Sequence, residues 1–158
     1  MESPDFDEIE FFRAIARSGV RALLIGRRAL VLLGLPVLTA DYDFWIDIEQ
    51  IAHFNQAVES FGLRPTRSPE QARSAGRYAL ENDEHVDVLV ARSVPTADGD
   101  TVAFDALWEA RRILSLTLDV SVAVPDIGGL ILTKRIAARP KDLEDIRLLE
   151  VLRLEEER

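Results

Sequence analysis

Leu24-Ile25-Gly26-Arg27-Arg28, then Gly34-Leu35-Pro36-Val37-Leu38-Thr39-Ala40-Asp41-Tyr42-Asp43-Phe44-Trp45-Ile46-Asp47, are the two runs whose reading decides the fold. The first ends a short apolar strand, Val20 to Ile25, at a glycine that opens a short helix over Arg27 to Leu33. The second leaves that helix at Gly34, turns through Pro36, and enters a strand from Asp41 to Ile48 rich in aromatic and β-branched residues. Alternate side chains of a strand share a face, so Asp41 and Asp43 point the same way. Two carboxylates at that spacing repel each other, and a divalent cation relieves the repulsion. Mg²⁺ in particular takes one or two carboxylates together with substrate phosphates. A glycine ahead of a helix leaves free N–H groups where an anionic phosphate can sit.

Working outward, a third acid lies in His85-Val86-Asp87-Val88-Leu89, flanked by valines on a strand expected to be internal, where a lone carboxylate needs a partner or a function. Three carboxylates on two adjacent strands can hold the metals that clamp a phosphoryl transfer. Taken singly, an Asp-x-Asp pair is as readily a solvated sheet edge, and a glycine before a helix says little. Their order and placement carry the reading.

The remaining chain alternates helix and strand early and accumulates strands in its middle. Ser3-Pro4 reads as the start of a first helix running to about Arg17, with Asp5, Asp7 and Glu8 near its positive end. Ile51 to Phe61 forms an amphipathic helix stopped by Gly62, and Leu63 to Ala75 a loop with one short helix. Tyr78 to Glu81 and His85 to Ala91 pair around Asn82-Asp83, Val94 to Gly99 is a loop, and Phe104 to Arg111 is helical. Ile113 to Leu118 and Val120 to Val124 turn at Asp119. Pro125-Asp126 opens a helix through Ala138, and a last helix runs from about Lys141 to Glu156 with Leu143, Ile146, Leu149 and Leu152 as its core face. The expected architecture is a single α/β domain over 1–158, a mixed sheet with helices packed on it.

Charge sharpens the picture. Twenty-eight acidic residues oppose nineteen Lys and Arg, a net charge of −9, which argues against broad non-specific binding of nucleic acid. The excess is uneven. Phe11 to Ala40 holds Arg13, Arg17, Arg21, Arg27 and Arg28 and no acid, and a second stretch holds Arg64, Arg67, Arg73 and Arg77 with Glu70. Such runs are either solvated helix faces or a local cationic wall suited to phosphate. Absence of cysteine excludes a disulfide framework and a thiol nucleophile and fits a reducing compartment. With no long apolar run and an acidic N-terminus, a cytoplasmic protein without a membrane span is expected. His53 and His85 are too far apart to suggest a metal pair, and Phe44 and Trp45 are expected in the core.

These features together resemble the minimal nucleotidyltransferase superfamily, whose pattern is Gly-Gly or Gly-Ser, a short helix, Asp-x-Asp, and a later strand Asp. The likeness is greatest to its small bacterial branch of AbiE-type and related toxin nucleotidyltransferases. It spans nearly the whole chain, including Leu132-Thr133-Lys134 and Ala138-Arg139-Pro140-Lys141-Asp142-Leu143-Glu144-Asp145-Ile146. By that resemblance Asp41, Asp43 and Asp87 are catalytic and bind metal, Mg²⁺ or in its place Mn²⁺. Gly26, Arg27, Thr39 and Lys134 meet the nucleotide, and Asp142 either acts near the site or caps the last helix. The expected activity moves a nucleoside monophosphate from an NTP to a hydroxyl of RNA or protein, with a toxin role and an antitoxin-like partner implied. Two departures stand out: Arg27 occupies the second small position of the glycine motif, and Val37 stands where an arginine is common. Arg27 either crowds the triphosphate or, with Arg28, supplies charge. The alternatives are a degenerate binding protein of the same fold and a metal-dependent phosphohydrolase.

Overall fold

The computed structural model describes residues 6–158, so the expected Ser3-Pro4 start lies outside the described residues. Helix α1 (Glu8–Ser18) begins after Asp7, whose carboxylate accepts from the Glu10 N–H, and stops at Gly19 in the left-handed conformation. Strand β1 (Ala22–Ile25) follows, then α2 (Gly26–Leu32), β2 (Tyr42–Ile46), α3 (Ile51–Val58), β3 (Arg64–Pro65) and α4 (Pro69–Ala75). β4 (Arg77–Glu81) and β5 (His85–Leu89) form the expected hairpin. Then come β6 (Ser93–Pro95), β7 (Thr101–Ala103), α5 (Phe104–Glu109), β8 (Arg112–Ser115), β9 (Ser121–Val124), α6 (Ile127–Lys134) and α7 (Pro140–Glu156).

Five strands form one mixed sheet in the order β1-β2-β5-β4-β3, in which only β2 and β5 run parallel. Strand alternation sorts its side chains onto two unequal faces. Leu24, Phe44, Val86 and Val88 enter the main core with Phe11, Phe12 and Ile15 of α1, Phe54 and Val58 of α3, and Leu130 and Leu149 of the last two helices. On the opposite face Leu23 and Trp45 are covered by a smaller cluster from β7 and α5, comprising Val102, Phe104 and Leu107. The Trp45 indole N–H, which burial would otherwise orphan, donates to the Ala91 carbonyl at 2.8 Å. That smaller cluster covers one end of the face only. Asp43 and Asp87 lie on the other.

Three expectations are corrected, and one open alternative is decided. The Val94 to Gly99 loop is instead part of the β6–β7 ribbon, whose register pairs Val94 with Val102. α6 ends at Lys134 rather than Ala138, which takes φ 51°, and Arg139 is extended, as the residue before a proline is biased to be. Leu143 is 46% exposed, because α7 turns Asp142 and Asp145, not Leu143, inward beside Ile146 and Leu149. The cationic wall of the N-terminal third is dispersed into ion pairs across the fold: Arg13 with Asp119, Arg21 with Asp47 and Asp105, Arg27 with Asp145, and Arg28 with Glu8. Among the described residues no helix is long and apolar enough to cross a membrane.

Candidate active site

β1, β2 and β5 set the centre of the site by register alone. Ile25 pairs with Asp43 across the antiparallel β1–β2 ladder, and Asp43 pairs with Asp87 across the parallel β2–β5 ladder. The two carboxylates therefore stand side by side on one face. Gly26, directly after Ile25, takes φ +72°, and a Cβ there would lie 2.4 Å from Asp43 Oδ2. Only glycine admits the Asp43 carboxylate at that spot. Asp41 sits just ahead of β2, its N–H donating to Thr39 Oγ1 at 3.1 Å. Ile25, at the N-cap of α2, offers no side-chain cap to that helix.

A cleft of about 400 Å³ opens over this centre, its walls including Gly26, Arg27, Thr39, Lys134 and all three aspartates. Every sequence-predicted site residue thus reaches one cavity. Arg77, Arg139, Lys141 and Asp142 line it too.

The electrostatics are uneven. Burial, then the charge of Asp87, pushes the Asp43 carboxyl up to about 6, with Asp41 adding to the rise and Lys134 and His85 opposing it. Asp87 is half exposed and accepts from His85 Nε2 at 2.9 Å. That hydrogen bond holds the His85 imidazole above its ordinary value, against a small loss from burial.

Behind the cleft, Lys134 is 7% exposed and its Nζ lies 2.9 Å from Asp145 Oδ2 and 3.8 Å from Asp142 Oδ1. The fully buried Asp145 also receives the Arg27 guanidinium on both oxygens, at 3.1 and 3.2 Å. Arg27 therefore turns toward α7 and ties α2 to it. Asp142 takes both roles open to it: its Oδ2 accepts from the Arg139 N–H at 3.0 Å, closing a capping box, and it faces Lys134. Burial pushes the Asp142 carboxyl up, but the side-chain and backbone hydrogen bonds of Arg139 outweigh it, leaving the group below the usual range.

Asp145 is the residue the sequence reading missed. Its three-residue offset from Asp142 in a helix puts both on one face, and that spacing was the available signal. His53 is an exposed residue of α3, apart from the cleft. Phe44 and Trp45 are buried as expected.

The donor chemistry fits a divalent cation. Carboxylate oxygens are the hard ligands Mg²⁺ and Mn²⁺ take, and the Asp43 carboxyl is raised first by burial and then by the neighbouring Asp87, both of which a bound cation would counter. Among the described residues no three Asp, Glu or His side chains converge closely enough to hold an ion unaided. A cation here would share two carboxylates and complete its shell from phosphate and water, the coordination Mg²⁺ favours.

Several solved structures share the overall fold. The antibiotic-resistance factor ANT(2'')-Ia, in its solution structure, superposes with a TM-score of 0.62 at 18% identity, over 94% of this chain and 88% of that one. The fold is that of the nucleotidyltransferases. The lincosamide antibiotic adenylyltransferase LnuA, bound to lincomycin, gives 0.61 at 16% identity over 92% and 98%. A putative nucleotidyltransferase from Thermotoga maritima gives 0.54 at 19% over 94% and 90%. No protein-family model and no curated protein sequence matches the chain.

Proposed function

We propose that this protein is a divalent-cation-dependent nucleotidyltransferase that moves a nucleoside monophosphate from an NTP to a hydroxyl acceptor. The observation that carries the reading is the in-register Asp43–Asp87 pair, with Asp43 seated against Gly26, on the floor of a cleft in a nucleotidyltransferase fold. Asp41 and Asp43 would hold Mg²⁺, which supplies charge neutralisation to the triphosphate. The chain's own groups do the rest. Gly26 and the first turn of α2 present N–H groups to phosphate, and the absence of a Cβ keeps the approach open. Lys134 contributes positive potential from behind, held in place by Asp145. Asp87, exposed in the cleft, takes the proton of the acceptor hydroxyl as its oxygen bonds to the α-phosphorus. The bond from that phosphorus to the bridging oxygen breaks, and pyrophosphate leaves.

Small hydroxyl compounds join RNA ends and protein hydroxyls as acceptors in this proposal, a reading supported by the antibiotic adenylyltransferase among the structural neighbours and by the neighbour solved with adenylyl-2''-tobramycin. The test is transfer of label from α-labelled NTPs with Mg²⁺ or Mn²⁺. Labelling must vanish in Asp43→Asn and Asp87→Asn, and persistence in either would remove the assignment. A toxin role predicts growth arrest on expression of the wild type but not of Asp43→Asn.

A second reading has an observation of its own. Arg27 and Lys134, the two cations expected at the phosphates, both end on Asp145. A non-transferring nucleotide-binding member of the fold would bind NTP by calorimetry and label nothing.

A further inference from the structure

Arg27 and Arg28, the two arginines directly after Gly26, both reach back to the loop that delivers Asp41. Arg27 Nη1 donates to the Leu38 carbonyl at 3.4 Å, and Arg28 Nη2 to the Thr39 carbonyl at 3.3 Å. That loop has little else to hold it. Leu35 and Val37 pack on the main core, and the Val37 N–H donates to the Leu35 carbonyl at 2.9 Å. Beyond them Leu38 is 89% exposed, so its carbonyl rather than its side chain is the anchor. Asp41 is exposed and lies one residue short of β2. The ladders that fix Asp43 and Asp87 begin at Tyr42 and stop short of it.

Arg28 brackets Asp41. Its guanidinium bonds the Thr39 carbonyl, two residues before Asp41, and lies 4.2 Å from the ring centroid of Tyr42, directly after it. Thr39 in turn accepts the Asp41 N–H on its hydroxyl at 3.1 Å. The guanidinium is itself held from α1. Glu8 Oε1 lies 3.5 Å from Arg28 Nη1 and accepts from the Tyr42 hydroxyl at 3.1 Å. A planar fork stacks on a ring with its face and donates along its edge, which a lysine ammonium cannot do. Stability alone does not account for the residue. The Arg28 side chain is 17% exposed, and its Nε is buried with no hydrogen-bond partner among the described residues. An apolar chain laid on Tyr42 would avoid that cost.

We propose that Arg28 is a positioning residue of the cation site. By holding Thr39 and Tyr42 on either side, it fixes the Asp41 carboxylate where it can share a divalent cation with Asp43. Gly26 and Arg28, two residues apart on α2, thus set the two members of the acidic pair, one by admitting Asp43 and the other by holding Asp41. The inference rests on the reading of the cleft as a cation-dependent transferase site. It carries a sign of its own. A guanidinium repels a cation nearby, so by charge alone its removal tightens cation binding. Removal of a positioning residue loosens it.

The experiment measures Mn²⁺ binding to the full chain without NTP, from the EPR signal of free Mn²⁺, in wild type, Arg28→Met, Arg28→Lys and Gly19→Ala. Arg28→Met keeps a chain long enough to cover Tyr42, and Gly19→Ala strains the backbone at the end of α1 remote from Glu8. The expected result is a Kd for Mn²⁺ that rises about 10-fold in Arg28→Met, the lower end of what loss of a residue supporting a metal ligand costs. Arg28→Lys, which keeps the charge, recovers little of that loss, and Gly19→Ala binds like the wild type even where it unfolds earlier. Unchanged or tighter binding in Arg28→Met overturns the proposal. So does an equal loss in Gly19→Ala, which would make the effect one of general stability. Hydrogen exchange at the Asp41 amide, read in parallel, quickens in both Arg28 variants. Should the wild type bind no Mn²⁺, the cation-dependent reading of the cleft falls. The Asp41 amide then still decides the part of Arg28: faster exchange in Arg28→Met supports it, and equal exchange refutes it.

Discussion

Replacing Gly26 by alanine isolates the contact on which the site is built, provided it is compared with Gly19→Ala. Both glycines are left-handed, at φ +72° and +75°. A Cβ at either costs about 1–2 kcal/mol of backbone strain. At Gly19 the added methyl meets nothing within 4 Å, whereas at Gly26 it lies 2.4, 2.9 and 3.0 Å from Asp43 Oδ2, Cγ and Cβ. Asp43 sits on a strand paired on both sides, so its Cβ cannot withdraw and the carboxylate must swing off or the ladders part. Overpacking of that kind adds roughly 1–3 kcal/mol. Denaturant or thermal unfolding should therefore place Gly26→Ala below Gly19→Ala by that difference, at about 2–4 °C per kcal/mol for a chain of this size. Transfer activity should fall at least about 100-fold in Gly26→Ala, because a displacement of about 1 Å in a reacting carboxylate has that effect. Gly19→Ala should keep it. Equal unfolding midpoints with transfer retained in Gly26→Ala would refute the seating of Asp43 against Gly26.

Other outcomes follow from the charges. Asp43 has a folded-state carboxyl near 6 against 3.8 for the free group, so the folded state binds the extra proton and stability declines as pH rises from about 4 to 6. Above that window the ionised group costs up to about 3 kcal/mol, so Asp43→Asn should unfold at higher temperature at pH 7.5 while losing transfer, and the gain should vanish near pH 4. An Asn variant no more stable at pH 7.5 than at pH 4, relative to wild type, would contradict this. Mg²⁺ should raise the wild-type midpoint at pH 7.5 and leave Asp43→Asn nearly unmoved, and equal shifts would place the cation elsewhere. Asp145→Ala strands the buried Lys134 ammonium and frees Arg27, and should destabilise by about 3–5 kcal/mol in denaturant titration. A loss under about 1 kcal/mol would show that the α2–α7 clasp contributes little.

Much of the site was legible because its signals are local. The Asp-x-Asp spacing pointed to a shared location, and Asp41, just ahead of β2, and Asp43, on it, both line the cleft, while the valines flanking Asp87 marked an internal strand. What stayed hidden depends on register and distance along the chain. Nothing in the run from Leu24 to Asp43 says that Ile25 pairs with Asp43, hence that Gly26 must yield its Cβ space to a carboxylate. Arg27 meets Asp145 across 118 residues, so nothing local to an arginine read as a phosphate ligand or an obstacle says that it also ties α2 to α7. Leu143 fitted the helical period as well as Ile146 does, but burial of Asp142 and Asp145 with Lys134 rotated the inward face away from it. The β6–β7 ribbon escaped because its strands are three residues long and one ends at Pro95.

The fate of the α-phosphorus tests the central claim most directly. With Mg²⁺, α-labelled NTP and an acceptor, the account predicts label covalently on the acceptor with one pyrophosphate released per transfer, both abolished in Asp43→Asn. Label recovered only as free nucleotide, with inorganic phosphate released in place of pyrophosphate, would contradict it and make these carboxylates those of a phosphohydrolase.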